Sequence, residues 1–363
     1  VLLAAGEGKF THFITFTVGL AEAVDGIEIT LLSYLAPCVA LEWDLGSFEQ
    51  GALTASVFAG EMAGAIVFGV VSDIYGRRKA FLASTLLVFC FGILTALAPS
   101  YLWLVLSRAM VGVGAGGMEA PFDLLSELVP TPIRDRTLLR VQVLWAVGTL
   151  FMGMAAWAVL GHGWSWRILA LVAAFPPFLL LCCFGYVPES PRWLLANGRV
   201  KDAKVVLHRV ASWNGVDIGE IKLRHYEARL RGREGHIEEL WAQPEQRRVS
   251  LILWGTWISF GFQYYGVVLL GALVLGSSEG STCDYNDFLL FVNSSSELLA
   301  YVLSGLYTGL LGSVKSMVAN FAVSALATAL MLVGAAGLYG VAAAAFLARG
   351  CACMASLFAW AVT

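Results

Sequence analysis

The chain has 363 residues, 58% hydrophobic and 13% charged, with a net charge of −3 and a mean hydropathy of +0.75. A soluble domain needs roughly 25% charged residues to keep its surface wetted, so a water-soluble globular protein is excluded and lipid must cover most of the surface. The near-neutral charge leaves no electrostatic footprint for nucleic acid.

A bilayer core about 30 Å thick needs roughly 20 apolar residues per helix. Ten segments reach that length, at about 11–37, 49–71, 80–98, 101–128, 138–160, 166–187, 249–275, 285–311, 316–338 and 341–363; they are predicted as spans 1 to 10 of an all-α polytopic membrane protein. Pro37, Pro121, Pro176 and Pro177 fall inside them, which neighbouring helices make tolerable in lipid. Connections after the odd-numbered spans, such as Pro37–Phe48 and Gly276–Asp284, hold no Lys or Arg. Those after the even spans hold Arg77, Arg78 and Lys79, then Arg134, Arg136 and Arg140, then twelve between Arg192 and Arg248, then Lys315. The positive-inside rule makes the N-terminus and the even connections cytoplasmic.

One long hydrophilic stretch, Pro188 to Arg248, divides six spans from the rest. The predicted organisation is therefore an N-terminal six-helix bundle (1–187), a central loop (188–248) and a partial C-terminal bundle (249–363). Val200–Trp213 and Ile218–Arg233 read as short surface helices of a solvated linker, with a partner site as the alternative. Gly69-x3-Asp73-x2-Gly76-Arg77-Arg78-Lys79 follows span 2, and Gly305-x3-Gly309-x2-Gly312-Ser313-Val314-Lys315 follows span 8 at the same spacing. This internal repeat points to two related halves, and equivalent halves would place two further spans after Thr363.

The first copy carries chemistry. Its glycines allow close helix approach and a tight turn, Asp73 is placed to accept from an arginine or a helix N-terminus, and Arg77 and Arg78 suit anionic headgroups. Three more stretches stand with it: Arg108-Ala-Met-Val-Gly112-Val-Gly114-Ala-Gly116-Gly117 in span 4, Glu127-Leu-Val-Pro130-Thr-Pro-Ile-Arg134 closing that span, and Pro188-Glu189-Ser190-Pro191-Arg192-Trp193-Leu194 after span 6. Together they resemble the signatures of the major facilitator superfamily, and the last resembles that of sugar porters, organic-ion transporters and synaptic vesicle 2-related proteins. The synaptic vesicle 2-related group fits over nearly the whole chain, through Glu42-Trp43, Trp145-Ala-Val-Gly148 and Tyr264-Tyr265-Gly266, with Asp25 and Glu28 as its acidic pair in span 1 and Glu297 as its acid in span 8. The resemblance implies two pseudo-symmetric six-helix bundles working by alternating access. The degenerate connection after span 8 and the short one after span 7 depart from it.

Glu22, Asp25 and Glu28 recur at i, i+3 and i+6 and share one face of span 1; such a stripe must line a wet cavity or find partners. Glu61, Glu119, Asp123 and Glu297 add to it, and the span interiors offer only Arg108, Arg349 and Arg167 against them. A buried carboxyl takes up a proton more readily than an exposed one, so uncompensated acids point to proton carriage or a cationic solute; interhelical hydrogen bonding by protonated acids is the plainer alternative. Arg108 costs about 2.5–3.5 kcal/mol in a bilayer interior and is expected to face a partner, either in coupling or simply in tying span 4 to span 1 or 5, with the glycines after it letting span 1 approach. In span 7, Trp257, Phe260, Gly261 and Tyr264 share a face, beside Tyr265. That face suits stacking on a planar or cationic ligand, or an interfacial belt.

Glu127 with Arg134, and Glu189 with Arg192, are expected to form a cytoplasmic salt-bridge set of the kind that breaks and re-forms between access states. Asn293-Ser-Ser has the spacing of a glycosylation sequon but falls within span 8. Seven cysteines are scattered without metal-ligand spacing, and only Cys38 and Cys283 fall near loops. No phosphate-binding loop is present, and no cofactor or metal is expected. The expected function is that of a secondary active transporter of a small organic solute, proton-coupled and not an enzyme, with the solute, protons and the bilayer as partners. A transporter-like binding protein without turnover is the alternative.

Overall fold

The computed structural model describes residues 6–219, 241, 243–275, 287–333 and 337–362. Among them helix is the only extended regular structure. In chain order the helices are α1 (Lys9–Trp43), α2 (Ser47–Tyr75), α3 (Arg77–Ala96), α4 (Tyr101–Ala115), α5 (Ala120–Leu128), α6 (Thr131–Leu160), α7 (Trp166–Ala173), α8 (Phe175–Cys183), α9 (Pro191–Ala196), α10 (Val200–Trp213), α11 (Pro244–Leu275), α12 (Asp287–Leu311), α13 (Ser313–Val333) and α14 (Gly337–Val362).

Every predicted span coincides with one helix or a consecutive pair, and eight such stretches among the described residues are long and apolar enough to cross a membrane. The other two predicted spans are α11, of 32 residues, and α12, of 25. Local chemistry explains the breaks. Span 4 divides into α4 and α5 after its run of small residues, with Pro121 in the first turn of α5, where a missing N–H costs nothing. Span 6 divides at Ala174, with Pro176 and Pro177 opening α8. Ser165 caps α7 and Ser190 caps α9 through their side-chain oxygens.

The chain forms two compact units. The first comprises Val1–Leu31, Cys38–Gly148 and Ser165–Arg233. Its core is apolar, built from Phe10 and Ile14 of α1, Phe81 and Val88 of α3, Val111 of α4, Leu124 and Leu128 of α5, and Leu180 of α8. Within it α2 and α4 meet backbone to backbone. A Cβ on Gly60 or Gly64 would collide with the carbonyls of Ala109 and Val113, and one on Gly112 or Gly116 with those of Val57 and Glu61. The span-4 glycines therefore admit α2, not α1 as the sequence suggested; Gly114 instead meets Ser84 and Val88 of α3. Small residues are what let membrane helices approach this closely.

The central stretch is not simply a solvated linker. Its spacing gives α10 one apolar face, and Ala203, Leu207, Val210 and Ala211 are buried in unit 1. Trp213 packs edge-on against Phe10 and Phe13, with ring centroids 5.9 and 5.6 Å apart. The Asn214 side chain accepts from Phe10 N–H at 3.0 Å and donates to the Gly6 carbonyl at 3.1 Å, pinning the start of α1. The helix predicted over Ile218–Arg233 falls almost wholly outside the described residues.

The second unit comprises Leu32–Pro37, Thr149–Trp164 and Glu234–Thr363. Here α13 and α14 pair along an alanine-rich stripe that buries Ala345, Ala348, Ala352 and Ala355, with Ser324 Oγ donating to the Ala348 carbonyl at 2.7 Å. The internal repeat has a backbone counterpart. Gly76, between α2 and α3, has φ +104°, and Gly312, between α12 and α13, has φ +74°. Each ends one helix and starts the next in a conformation that glycine adopts without strain. Cys38 is disulfide-bonded, while Cys90, Cys182, Cys183, Cys351 and Cys353 are free; Cys283 lies outside the described residues.

Candidate functional site

In unit 1, Arg108 is the largest fully buried side chain. Its Nη1 lies 2.6 Å from Glu28 Oε2, and the two side chains are 0% and 3% exposed. A second contact, 3.4 Å from Nη2 to the Glu28 carbonyl, fixes the guanidinium against α1. A charge at that depth is tolerable only with such a partner.

Asp25 stands apart from this pair. It is half-buried on α1, and its Oδ1 is buried with no hydrogen-bond partner. Within electrostatic reach lie Glu61 of α2, Glu119 between α4 and α5, and Glu28; Glu22 lies within reach of Glu119 and Asp25. Glu61 also has a buried, unpartnered oxygen, Oε2. The acids of α1 thus divide: Glu28 is neutralised by Arg108, whereas Asp25 and Glu22 join carboxyls of other helices with no cation bonded to them among the described residues. The sequence pattern of one continuous stripe did not reveal this division.

Unit 2 holds a second buried ion pair. Arg349 Nε of α14 lies 2.7 Å from Glu297 Oε1 of α12, with side chains 3% and 0% exposed. Tyr264 of α11 donates its hydroxyl to Glu297 Oε1 at 2.6 Å, and Thr149 of α6 donates to Oε2 at 2.9 Å. Ser294 lies 3.4 Å from Arg349 Nη1. Asn293 Oδ1, beside Ser294 in sequence, and Nη2 of Arg349 itself are buried without a hydrogen-bond partner among the described residues. The aromatic face of span 7 forms as read: Trp257 meets Phe260 at 5.7 Å, Phe260 stacks on Tyr264 at 5.4 Å, and Tyr264 meets Tyr265 at 5.4 Å. Phe262, at 87% exposure, and Trp254 point away. Thr149 and Ser294 escaped the sequence reading because hydroxyls carry no signal of their own in an apolar span. Arg349 did carry one, as a cation with few acids to pair with. Asn293 is buried inside α12, as expected of a false sequon.

The motif residues converge at one end of unit 1. Arg77 Nη2 bonds Asp73 Oδ1 at 2.9 Å, its Nη1 bonds the Ser72 carbonyl at 2.9 Å, and its Nε lies 3.8 Å from Glu127 Oε2. Ser190 Oγ donates to Glu127. Glu189 Oε1 accepts from the backbone N–H of Arg78 at 3.0 Å, and Arg78 Nη2 reaches the Phe184 carbonyl at 3.1 Å. Trp193 Nε1 donates to the Asp73 carbonyl at 2.8 Å. Several expectations change here. Glu127 pairs with Arg77 and Ser190, and neither Arg134 nor Arg192 forms an ion pair among the described residues; a carboxylate at the end of α5 sits closer to the α2 turn than to the cations after it. Arg77 is turned inward rather than towards headgroups. Gly69 makes no close approach, since a Cβ there would meet open space, while the tight position is Gly76, against the Glu189 carboxylate. Arg167, the third cation weighed against the buried acids, pairs instead with Glu42 at 2.8 Å near the surface.

The family described as Sugar (and other) transporter matches residues 23–362. The synaptic vesicle 2-related protein of Xenopus laevis is 37% identical over 74% of this chain and 48% of its own length. The putative transporter SVOPL of Homo sapiens is 34% identical over 76% and 56%, and the organic cation/carnitine transporter 7 of Arabidopsis thaliana 32% over 74% and 60%. The chain spans about half the length of the curated relatives it matches. A solved structure of the xylose transporter XylE from E. coli, in a partially occluded inward open conformation, superposes with a TM-score of 0.76 at 17% identity over 96% of this chain and 86% of that one. That likeness gives the fold, the family match gives the lineage, and the chain belongs to the sugar (and other) transporter family of the major facilitator superfamily.

Proposed function

We propose that this chain forms part of a secondary active transporter that moves a small organic solute by alternating access with coupling to protons, and that it performs no enzymatic chemistry. The observation that carries the reading is the excess of buried carboxyls in unit 1. Arg108 is engaged by Glu28, while Asp25 keeps a buried, unbonded oxygen within reach of Glu61 and Glu119. Carboxyls at bilayer depth are tolerable where a wet path reaches them, and carboxyls without a cation are suited to exchange protons or meet a cationic group.

Each named residue takes a role in this reading. Asp25 is the proton-exchanging acid, and Glu28 with Arg108 is the ion pair that responds to it. Glu297, held by Arg349 and Tyr264, anchors a polar centre beside the face of Trp257, Tyr264 and Tyr265 on which a solute stacks. Gly69, Asp73, Gly76, Arg77, Arg78, Glu127, Arg134, Glu189 and Arg192 form the gate. The solute class draws support from two similar proteins: XylE is a proton:xylose symporter with a structure bound to 6-bromo-6-deoxy-D-glucose, and the Arabidopsis relative is named for organic cations and carnitine. The Lys and Arg asymmetry of the connections supports a cytoplasmic N-terminus and a cytoplasmic 188–248 segment in this reading, with residues 1–187 and 249–363 as the two bundles. The gathering of Gly6, Arg77, Arg78, Glu127 and Glu189 at one end of unit 1 supports that sidedness.

The test is uptake by the protein reconstituted in liposomes, with and without an imposed proton gradient, alongside Asp25→Asn. Gradient-driven accumulation that Asp25→Asn abolishes is the expected result. Uptake indifferent to both gradient and substitution would sink the coupling, and ligand binding without flux would sink transport itself.

A further inference from the structure

The helix α8 ends in two adjacent thiols, Cys182 and Cys183, and both are free. They cannot oxidise to each other within the helix, because successive Cα atoms stand about 3.8 Å apart, short of the roughly 4.4–6.8 Å that a disulfide spans. Among the described residues no third His, Cys, Asp or Glu completes a metal-ligand group with them. The pair therefore serves neither as a staple nor as a metal site.

Direction and depth suggest another use. Phe175, Phe178, Leu179 and Cys182 recur at i, i+3, i+4 and i+7, which is one face of α8, and all four are exposed. Pro176, Pro177 and Leu180, on the other side, are buried, so Cys182 points to lipid. Phe178 lies against Phe89 of α3, with ring centroids 5.8 Å apart, and two helices border the exposed track. From Cys182 to Phe175 it runs about 10 Å along the helix, into a leaflet whose hydrocarbon is about 15 Å deep. The two cysteines close the apolar stretch Trp166–Cys183, and the chain turns immediately after them. Exposed Tyr186 and the Arg78 guanidinium, 3.1 Å from the Phe184 carbonyl, mark the polar boundary there. The Cys182 sulfur thus meets the aqueous boundary, while a chain attached to it can lie in hydrocarbon.

We propose that Cys182 is a site of reversible fatty acylation, with half-buried Cys183 as the lesser acceptor, and that the acyl chain lies along Leu179, Phe178 and Phe175. The Cys182 sulfur attacks the carbonyl carbon of a long-chain acyl-CoA. A new thioester bond forms, the acyl bond to coenzyme A breaks, and coenzyme A leaves as a thiol with the proton that the cysteine gives up. Juxtamembrane cysteines suit this chemistry. The proposal rests on the cytoplasmic placement of this end in the reading above, since acyl-CoA is held on that side. The spans already hold the chain in the bilayer far more firmly than one acyl group could, so acylation acts by reshaping the lipid-facing surface of α8 and α3. Cys90 supplies an internal contrast: it too is free and exposed, but it lies well inside α3 (Arg77–Ala96), away from the aqueous boundary.

The experiment feeds an alkyne analogue of palmitate to cells expressing the full chain, then purifies the protein and couples the alkyne to a fluorophore. Label that neutral hydroxylamine removes, as it removes thioesters, is the expected result. Cys182→Ser is expected to lose most of the label, Cys182→Ser with Cys183→Ser to lose all of it, and Cys90→Ser to lose none. Mass spectrometry of the unsubstituted chain, which needs no variant to fold, is expected to find the acyl mass on the peptide carrying Cys182 and Cys183. Label that resists hydroxylamine, survives the double substitution or falls equally with Cys90→Ser would overturn the proposal, as would an unmodified peptide. Sidedness is read separately, from Lys201→Cys at an exposed position of α10 treated with a membrane-impermeant maleimide. A gain in labelling over the unsubstituted chain is expected only after the cells are permeabilised. A gain in intact cells would overturn the cytoplasmic placement and the acylation with it, whereas absent palmitate label with that placement intact would overturn the acylation alone.

Discussion

Arg108 Nη1 stands 2.6 Å from Glu28 Oε2 with both side chains shut away from solvent, so α1 and α4 are joined by a bond that neither residue can leave alone. Removing one partner from a buried pair strands the other charge and costs about 3–5 kcal/mol. Glu28→Gln and Arg108→Met are each expected to lower the thermal unfolding midpoint sharply in detergent, and the double variant to recover much of the loss. A double variant no more stable than either single would mean that the pair is not a unit. The exposed pair Arg140–Glu7, at 2.8 Å, supplies the contrast: Arg140→Ala is expected to leave the midpoint unchanged, because exposed ion pairs are screened and contribute little.

The second buried pair is held from more sides. Glu297 accepts from Arg349, Tyr264 and Thr149, which lie on α14, α11 and α6. Tyr264→Phe removes one hydrogen bond to a charged acceptor, a loss of about 1.5–3 kcal/mol. Glu297→Gln strands Arg349 and is expected to cost more. The order of unfolding midpoints, wild type above Tyr264→Phe above Glu297→Gln, is the measurable outcome. If Tyr264→Phe matched Glu297→Gln, the aromatic ring rather than the carboxylate would be the organising element of this centre.

Close backbone packing makes a sharper prediction. A side chain at Gly112 has no space, because the Val57 carbonyl of α2 occupies the position of its Cβ, whereas Gly69 on the same α2 faces open space. Gly112→Val is expected to separate α2 from α4 and abolish the folded monodisperse peak in size-exclusion chromatography. Gly69→Ala is expected to be neutral or slightly stabilising, since alanine is a better helix former than glycine by about 0.8–1.0 kcal/mol. Loss of folding at Gly69 would contradict the geometry described for α2.

Much of this architecture was legible in the sequence. Length and apolarity located ten spans, and the glycine, acid and arginine spacing after span 2 located the turn around which the motif residues gather. Partner choice was less legible. The period of 3.6 put Glu22, Asp25 and Glu28 on one face but did not say that Arg108 would take only Glu28, because that depends on how far along α1 the guanidinium reaches. The small residues after Arg108 promised a close neighbour without naming α2, since thin helix faces accept any helix that the topology brings. Glu127 was paired in sequence with the cation seven residues on, when the tertiary neighbour was Arg77, fifty residues back. The clustering of α10 with unit 1 was hidden for a different reason: a short amphipathic helix, with eight apolar residues and four charged ones, looks like a surface helix until something is found for its apolar face to cover.

Glu127 is where the proposed gate can be tested without touching the buried pairs. Its carboxylate accepts from Ser190 Oγ and sits 3.8 Å from Arg77 Nε, tying the end of α5 to the α2–α3 turn and to the cap of α9. Each contact alone is modest, at about 0–1 kcal/mol for partly exposed ion pairs, so the tie works only as a network. Glu127→Gln keeps a group able to accept from Ser190 but removes the charge that holds Arg77; Glu127→Ala removes both. If the network holds one access state, a cysteine introduced at Ser126, half-buried beside it, should label faster with a membrane-impermeant thiol reagent in Glu127→Ala than in Glu127→Gln, and slowest in the unsubstituted chain, with unfolding midpoints that change little. Equal labelling rates at equal stability would show that these contacts decorate the end of the bundle without restraining it.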